Sequence, residues 1–330
     1  MSKACFRDSR KANRKKVTVI NMEKNRDSAP KVVIVGSMAF DDVKTPFGEV
    51  EGALGGSATY ASIACSLFAK PGIVSVIGED FPEKHLEFLA GRGIGLDGVE
   101  VKKGGKTFHW KGEYGMDLND AKTIQTDLNV LGAFKPKLPE TYRSADFLFL
   151  GNIDPELQLD VLSQMRKRPG LVVADTMNLW ISTKREKVLE VVKAVDICLM
   201  NDLEARQLFR TPNLKRAAAE ILNLDSEIAI IKKGENGCIA FTAKSHFACP
   251  GYPLENVLDP TGSGDCFGGS LIGYLAKTGD FSEKNMRRAI VYGSCVASFN
   301  AEGFSVERLR NVTMKDVDKR YREFEGFVKF

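Results

Sequence analysis

The segment Asp259-Pro260-Thr261-Gly262-Ser263-Gly264-Asp265 combines residue types that can hold and transfer an anionic group. Proline and glycine break the preceding strand, and small residues then open a helix. At that N-terminus the backbone N–H groups of Gly262, Ser263 and Gly264 converge where the helix dipole also favours negative charge. The result is an anion hole fit for a phosphoryl group in flight. Asp265, in the first turn, is close enough to accept a proton from a hydroxyl attacking that phosphorus. On residue types alone, the stretch also reads as a glycine-rich connection with Asp265 as an ordinary first-turn residue.

The elements that must position this loop alternate along the chain. Val32-Val33-Ile34-Val35 reads as a buried strand, Ser57–Phe68 as a helix, 73–77 as a strand and 82–90 as a helix. Residues 98–129 change character: short polar strands, many glycines and the aromatics Phe108, Trp110 and Tyr114 predict a small antiparallel sheet projecting from the body. Strands at 146–150, 171–174, 195–200 and 227–232 then alternate with helices, and 237–242 with 246–249 reads as an edge hairpin. Two long helices follow, 262–276 and 282–299. Such alternation is the mark of right-handed βαβ units on a mostly parallel sheet.

Composition narrows the classes. Of 330 residues 43% are apolar and 27% charged, near the globular average, which excludes wholesale disorder and fibrous repeats. No apolar run reaches membrane-spanning length. Seven scattered cysteines without a CxxC pair suit reduced thiols in a cytoplasmic protein, and three histidines make a His-rich metal site improbable. Residues 1–30 carry nine Lys/Arg against three Asp/Glu, whereas the remainder holds 38 basic and 40 acidic residues, so the overall +4 belongs to the tail. The body therefore gives no reason to expect nucleic acid or membrane as a partner. The tail reads as a disordered basic extension, or as an upstream start with the initiator at Met22, in preference to a transit peptide.

Other short motifs fail on context. Gly93-Ile94-Gly95-Leu96-Asp97-Gly98 spells GxGxxG but follows a helix, and Gly104-Gly105-Lys106-Thr107 lacks the first glycine of a P-loop.

Asp259–Asp265 resembles the DTxGAGD signature of the ribokinase-like (PfkB) sugar kinases, with Pro260 and Ser263 in place of the usual Thr and Ala. Four further stretches agree in the family's order: Gly36-Ser37-Met38-Ala39-Phe40-Asp41, Gly55-Gly56, Asn201-Asp202-Leu203-Glu204, and the nucleotide-loop strand Ile231-Lys232-Lys233-Gly234-Glu235-Asn236-Gly237. The resemblance runs from about Lys31 to Phe304. It implies a three-layer α/β/α sandwich with a small β-sheet lid at roughly 98–130, and transfer of phosphate from ATP to a hydroxyl of a sugar or related polyol.

In that reading Asp265 is the base and the amides of Gly262, Ser263 and Gly264 hold the phosphoryl group. Asn201, Glu204, Lys232, Gly234, Asp259 and Thr261 are expected around the nucleotide, with Glu204 organising Mg²⁺ through water. Asn201 and Glu204 also fit an N-cap and its capping box, and both readings can hold together. Asp41, at a strand's carboxyl end, is expected to accept two substrate hydroxyls, with Asp42 as the neighbour in the other register. Gly55 and Gly56 permit close approach to that substrate. Tyr60 stands where the family commonly has a hydroxyl-binding Asn, which points to a bulkier or differently oriented acceptor. Asn178 stands in the place of a D-x-N-type loop near the phosphates. Phe108 and Trp110 read as a cover over the substrate or as a homodimer contact through the lid. Some members of the family need a monovalent cation near the loop after Ser298, and the sequence leaves that requirement open. The alternatives to a sugar kinase are a nucleoside kinase of the same fold and a non-catalytic ligand sensor, against which an intact Asp265 argues.

Overall fold

A computed structural model describes residues 29–329, so the reading of the basic tail lies almost wholly outside the described residues. In chain order the strands are β1 (Val32–Val35), β2 (Ala39–Thr45), β3 (Gly48–Gly55), β4 (Pro71–Gly78), β5 (Gly95–Lys102), β6 (Phe108–Tyr114) and β7 (Ala121–Asp127). They continue as β8 (Phe147–Leu150), β9 (Leu171–Ala174), β10 (Ile197–Asn201), β11 (Ile228–Lys232), β12 (Cys238–Phe241) and β13 (His246–Cys249). The helices are α1 (Ser57–Cys65), α2 (Glu83–Gly91), α3 (Pro155–Ser163), α4 (Asn178–Thr183) and α5 (Arg185–Ala194). They end with α6 (Asp202–Phe209), α7 (Leu214–Asn223), α8 (Ser263–Thr278), α9 (Glu283–Ala301) and α10 (Met314–Val328).

Nine strands form the main sheet in the order β13-β12-β11-β10-β9-β8-β1-β4-β5. Pairing is parallel from β11 to β5, and β12 pairs antiparallel with both β11 and β13. Four consecutive apolar residues make β1 and β8 fully buried because helices cover both faces. Alternation then assigns each side chain to a layer. Val32, Ile34, Phe147 and Phe149 join the core under α1, α8 and α9, while Val33, Val35, Leu148 and Leu150 face α3, α5, α6 and α7. This is the three-layer α/β/α sandwich that the family resemblance implies, on the mostly parallel sheet expected from the alternation.

The lid departs from its expected bounds. The second sheet has the order β3-β2-β6-β7, so half of it comes from residues 39–55, between β1 and α1. Within 98–130 only β6 and β7 belong to it, since β5 pairs in parallel with β4 as the last strand of the main sheet. The polar character of β5 is that of an outermost strand, exposed along one side, which composition does not distinguish from a projecting hairpin. The chain leaves the main sheet after Val35, so Asp41 lies within a lid strand and not at the carboxyl end of β1.

The described sequence also forms α10, which was not read from the pattern. Its capping box joins Thr313 and Asp316, and Val317 and Phe324 bury themselves in the core cluster that includes α9. Glu79 and Asp80 serve as connectors: Asp80 accepts from Thr107 N at 2.8 Å, and Glu79 from Gly104 N at 3.0 Å. Among the described residues no helix is long and apolar enough to cross a membrane. The six described cysteines are buried free thiols.

Candidate functional site

A cavity of about 1880 Å³ opens between the carboxyl ends of the parallel strands and the inner face of the lid. That edge is where α/β sheets place their ligands.

The turn into α8 is built twice over to require glycine. Gly262 has φ 77° and ψ −3°, a left-handed conformation, and a β-carbon there would enter the Tyr60 ring. Asp259 braces the turn from below. Its carboxylate accepts Thr261 N at 2.9 Å and Ser305 N at 3.1 Å, and the side chain is 1% exposed. From α9, Asn300 Nδ2 donates to Thr261 O at 2.7 Å and to Ser263 Oγ at 3.1 Å. Asp259, expected beside the nucleotide, is thus spent on backbone N–H groups beneath the loop. Thr261 does line the cavity.

The anion hole also differs in one amide. Ser263 N donates to Pro260 O at 3.0 Å, because the chain closes a tight turn before the helix begins. The N–H groups of Gly262 and Gly264 have no acceptor among the described residues and remain available to a ligand.

Four charged side chains crowd beside this turn. Lys232, at the end of β11, forms a buried ion pair with Asp175, which directly follows β9. Gly264 leaves room for the ammonium: a β-carbon there would sit 2.9 Å from Lys232 Nζ. Burial alone would lower the Lys232 pKa, but the carboxylates of Asp175, Glu204 and Asp265 outweigh it and hold the group above its ordinary value. Burial, with help from Asp175, pushes Asp265 up to about 7 against the opposing charge of Lys232. Glu204 is pushed up to about 8 by burial and then by Asp175, with Lys232 and the Asn201 N–H opposing.

Asn201 and Glu204 form the capping box of α6. Asn201 N donates to Glu204 Oε2 and Asn201 Nδ2 to Glu204 Oε1, both at 2.8 Å, while Glu204 N donates to Asn201 Oδ1 at 2.7 Å. Glu204 is 6% exposed, yet both residues line the cavity. Cap and cavity wall are therefore the same pair. Gly234 lines the cavity in the turn that follows β11, and Asn178 does so at the start of α4.

The lid supplies the opposite wall. Asp41 points inward from β2, 4% exposed, and is pushed up to about 8 by burial and then by the charges of Asp259 and Asp265. Asp42 faces the other way, accepting Gly52 N at 2.7 Å and lying 3.0 Å from His109 Nε2, which resolves the register between the two. Gly55 is cut to fit Asp41, since a β-carbon there would collide with the carboxylate. Gly56, at φ 94°, passes too close to the Ser37 carbonyl for any side chain and leads into α1. Tyr60 is 1% exposed on α1, with its hydroxyl unpartnered.

Phe108, Trp110 and Tyr114 line the cavity from one face of β6, and Trp110 Nε1 is held by Thr123 Oγ1 at 3.2 Å. The cavity lining also includes the apolar Leu128, Leu131, Phe134 and Leu157 and the amide of Asn152. Asn152 Oδ1 accepts Trp180 Nε1 at 2.9 Å, which fixes that amide.

Sequence reasoning missed Asn152, Asn300 and the partnership of Asp175 with Lys232. Asp175 carried a usable signal, a carboxylate directly after a buried strand at the same sheet edge as Lys232. Asn300 carried none, since only the return path of α9 brings it under Thr261.

Comparison with known proteins agrees with this architecture. The chain is 31% identical over 252 residues to the cytidine kinase of Thermococcus kodakarensis, covering 74% of this chain and 88% of that protein. It is 24% identical over 273 residues to fructokinase-2 of Solanum habrochaites, covering 73% and 80%. Among solved structures it superposes on the nucleoside kinase of Methanocaldococcus jannaschii with a TM-score of 0.72 at 17% identity, covering 90% of this chain and 99% of that one. Residues 23–308 match the pfkB family of carbohydrate kinases, and to that family of ATP-dependent phosphotransferases the chain belongs.

Proposed function

We propose that this kinase phosphorylates a hydroxyl of a nucleoside, with Mg-ATP as donor. The observation that carries the reading is the large apolar share of the cavity lining, with Phe108, Trp110, Leu128, Leu131, Phe134 and Leu157 in the same cavity as Asp41 and the Asn152 amide that Trp180 orients. A free sugar, hydroxylated on every side, leaves such a wall unpaired. A nucleoside brings hydroxyls for Asp41 and a flat base that stacks on aromatic side chains. The similarity to a cytidine kinase supports it.

Asp265 takes the proton of the attacking hydroxyl as its oxygen bonds to the γ-phosphorus and the bond to ADP breaks. The free amides of Gly262 and Gly264, with Lys232 beside them, hold the charge on the transferring group. The donor set suits hydrated Mg²⁺: no cage of three or more ligating side chains exists among the described residues, while the carboxylate of Glu204 lines the cavity and that of Asp175 is paired with the cavity-lining Lys232. When bound, that ion neutralises phosphate charge. Glu204 and Asn201 would orient its water, and the turn Lys232–Gly237 would carry the nucleotide.

ADP release with Mg-ATP across nucleosides, pentoses and hexoses tests the acceptor. Nucleosides are expected to turn over, cytidine among them. Turnover of hexoses alone would overturn the assignment. Asp41→Asn is expected to raise the acceptor KM by about 10²-fold through loss of one of the two oxygens that pair with the acceptor hydroxyls, with the KM for ATP unchanged. A shift in the ATP KM instead would move Asp41 to the nucleotide side.

A further inference from the structure

The loop joining β6 to β7 touches two distant parts of the site. Tyr114 ends β6 with its hydroxyl 3.1 Å from Thr261 Oγ1, so a lid residue meets the residue directly before the Gly262 turn. Further along the loop, Asn119 Oδ1 accepts the N–H of Glu235 at 3.3 Å. Asp117 sets that geometry, its Oδ1 accepting Asn119 N at 2.9 Å and Asn119 Nδ2 at 3.0 Å. With Nδ2 held there, Oδ1 is the atom presented to Glu235. Gly234 completes the fit, because a side chain at that position would run into the Asn119 amide.

One contact lands on the loop that opens α8, and the other on the turn that follows β11. The first leads into the helix turn that carries Asp265, and the second directly follows Lys232. Thr261 is thereby held from three directions: its N–H by Asp259, its carbonyl by Asn300 and its hydroxyl by Tyr114. A kinase must keep water from taking the phosphoryl group in place of the acceptor, and a closed cover does so.

We propose that Tyr114 and Asn119 form a two-point latch that seals the lid over the phosphoryl-transfer centre, with Tyr114 as a positioning residue for the Gly262 turn. The proposal rests on placing phosphoryl transfer at Gly262–Asp265, and it is independent of which acceptor is used.

Tyr114→Phe and Asn119→Ala in the full chain test it. Acceptor-free ADP release from Mg-ATP is expected to rise roughly ten-fold in each, the change in open population that loss of one hydrogen bond produces. Phosphorylated product per ADP should fall below the wild-type ratio, which a merely structural role would not move. Hydrogen exchange at the Glu235 amide should quicken by a similar factor in Asn119→Ala, with or without a known acceptor. Unchanged exchange at Glu235 would overturn the latch itself. Faster exchange with unchanged acceptor-free hydrolysis and stoichiometry in both variants would overturn its sealing role. A wild-type chain that transfers to no acceptor yet shows the exchange difference would retain the latch and remove the transfer centre.

Discussion

Asp265→Asn is expected to lower kcat by about 10³-fold, within the range that a positioned general base supplies. The substitution keeps the shape of the side chain and removes the basic oxygen pair. Asp265 lines the cavity at the first turn of α8 with Lys232 beside it, so deleting its charge should leave Mg-ATP binding within about three-fold of wild type. Isothermal titration with Mg-ATP alongside steady-state turnover separates the two effects. Undiminished turnover would remove Asp265 from the chemistry. The pH profile provides a second check. Because burial pushes Asp265 up to about 7, the carboxylate form is lost as pH falls through that value. The acceptor kcat/KM, which reports the free enzyme, should therefore fall as pH drops through about 7, and that inflection should be absent in Asp265→Asn.

Gly262→Ala has the next largest expected effect. The residue sits at φ 77°, where an L-residue is strained by about 1–2 kcal/mol, and its β-carbon would enter the Tyr60 ring. The turn must then shift, carrying away the two unpartnered amides proposed to hold the phosphoryl group. A fall in kcat of about 10²-fold is expected, as for loss of one oxyanion donor, with far-UV circular dichroism unchanged. Wild-type kcat in a folded variant would show that the Gly262 turn does not meet the reacting group.

The sequence made legible what local chemistry determines. Contiguous apolar strands such as β1 and β8 announce burial on both faces, and Gly262–Asp265 announces a helix start able to bind an anion. Asn201 and Glu204 were readable as a cap because the box closes within four residues of chain. What stayed hidden depends on long-range closure. Nothing near Gly36 says that the chain leaves the main sheet for the lid, and the polarity of β5 misled because outermost strands and projecting hairpins are polar for different reasons. The Lys232–Asp175 pair spans 57 residues and the Tyr114–Thr261 contact 147, beyond any periodicity. Ser263 shows a finer limit. Its residue type fits an anion hole, but its amide is committed to Pro260 by turn geometry that only coordinates reveal.

The lid is woven from two stretches of chain, 39–55 and 108–127, joined where β2 runs parallel to β6 and Asp41 lies opposite Trp110. In the proposed reading, hydroxyl recognition by Asp41 and base stacking on Trp110 thus sit on opposite sides of one seam. For specificity engineering, a transplant of either stretch alone would set a donor strand against a recipient strand whose pleat and bulge were matched to another partner. Acceptor preference should move between relatives as a paired cassette, both insertions exchanged together, while the α8 turn and the β11 loop stay behind as an interchangeable phosphate chassis.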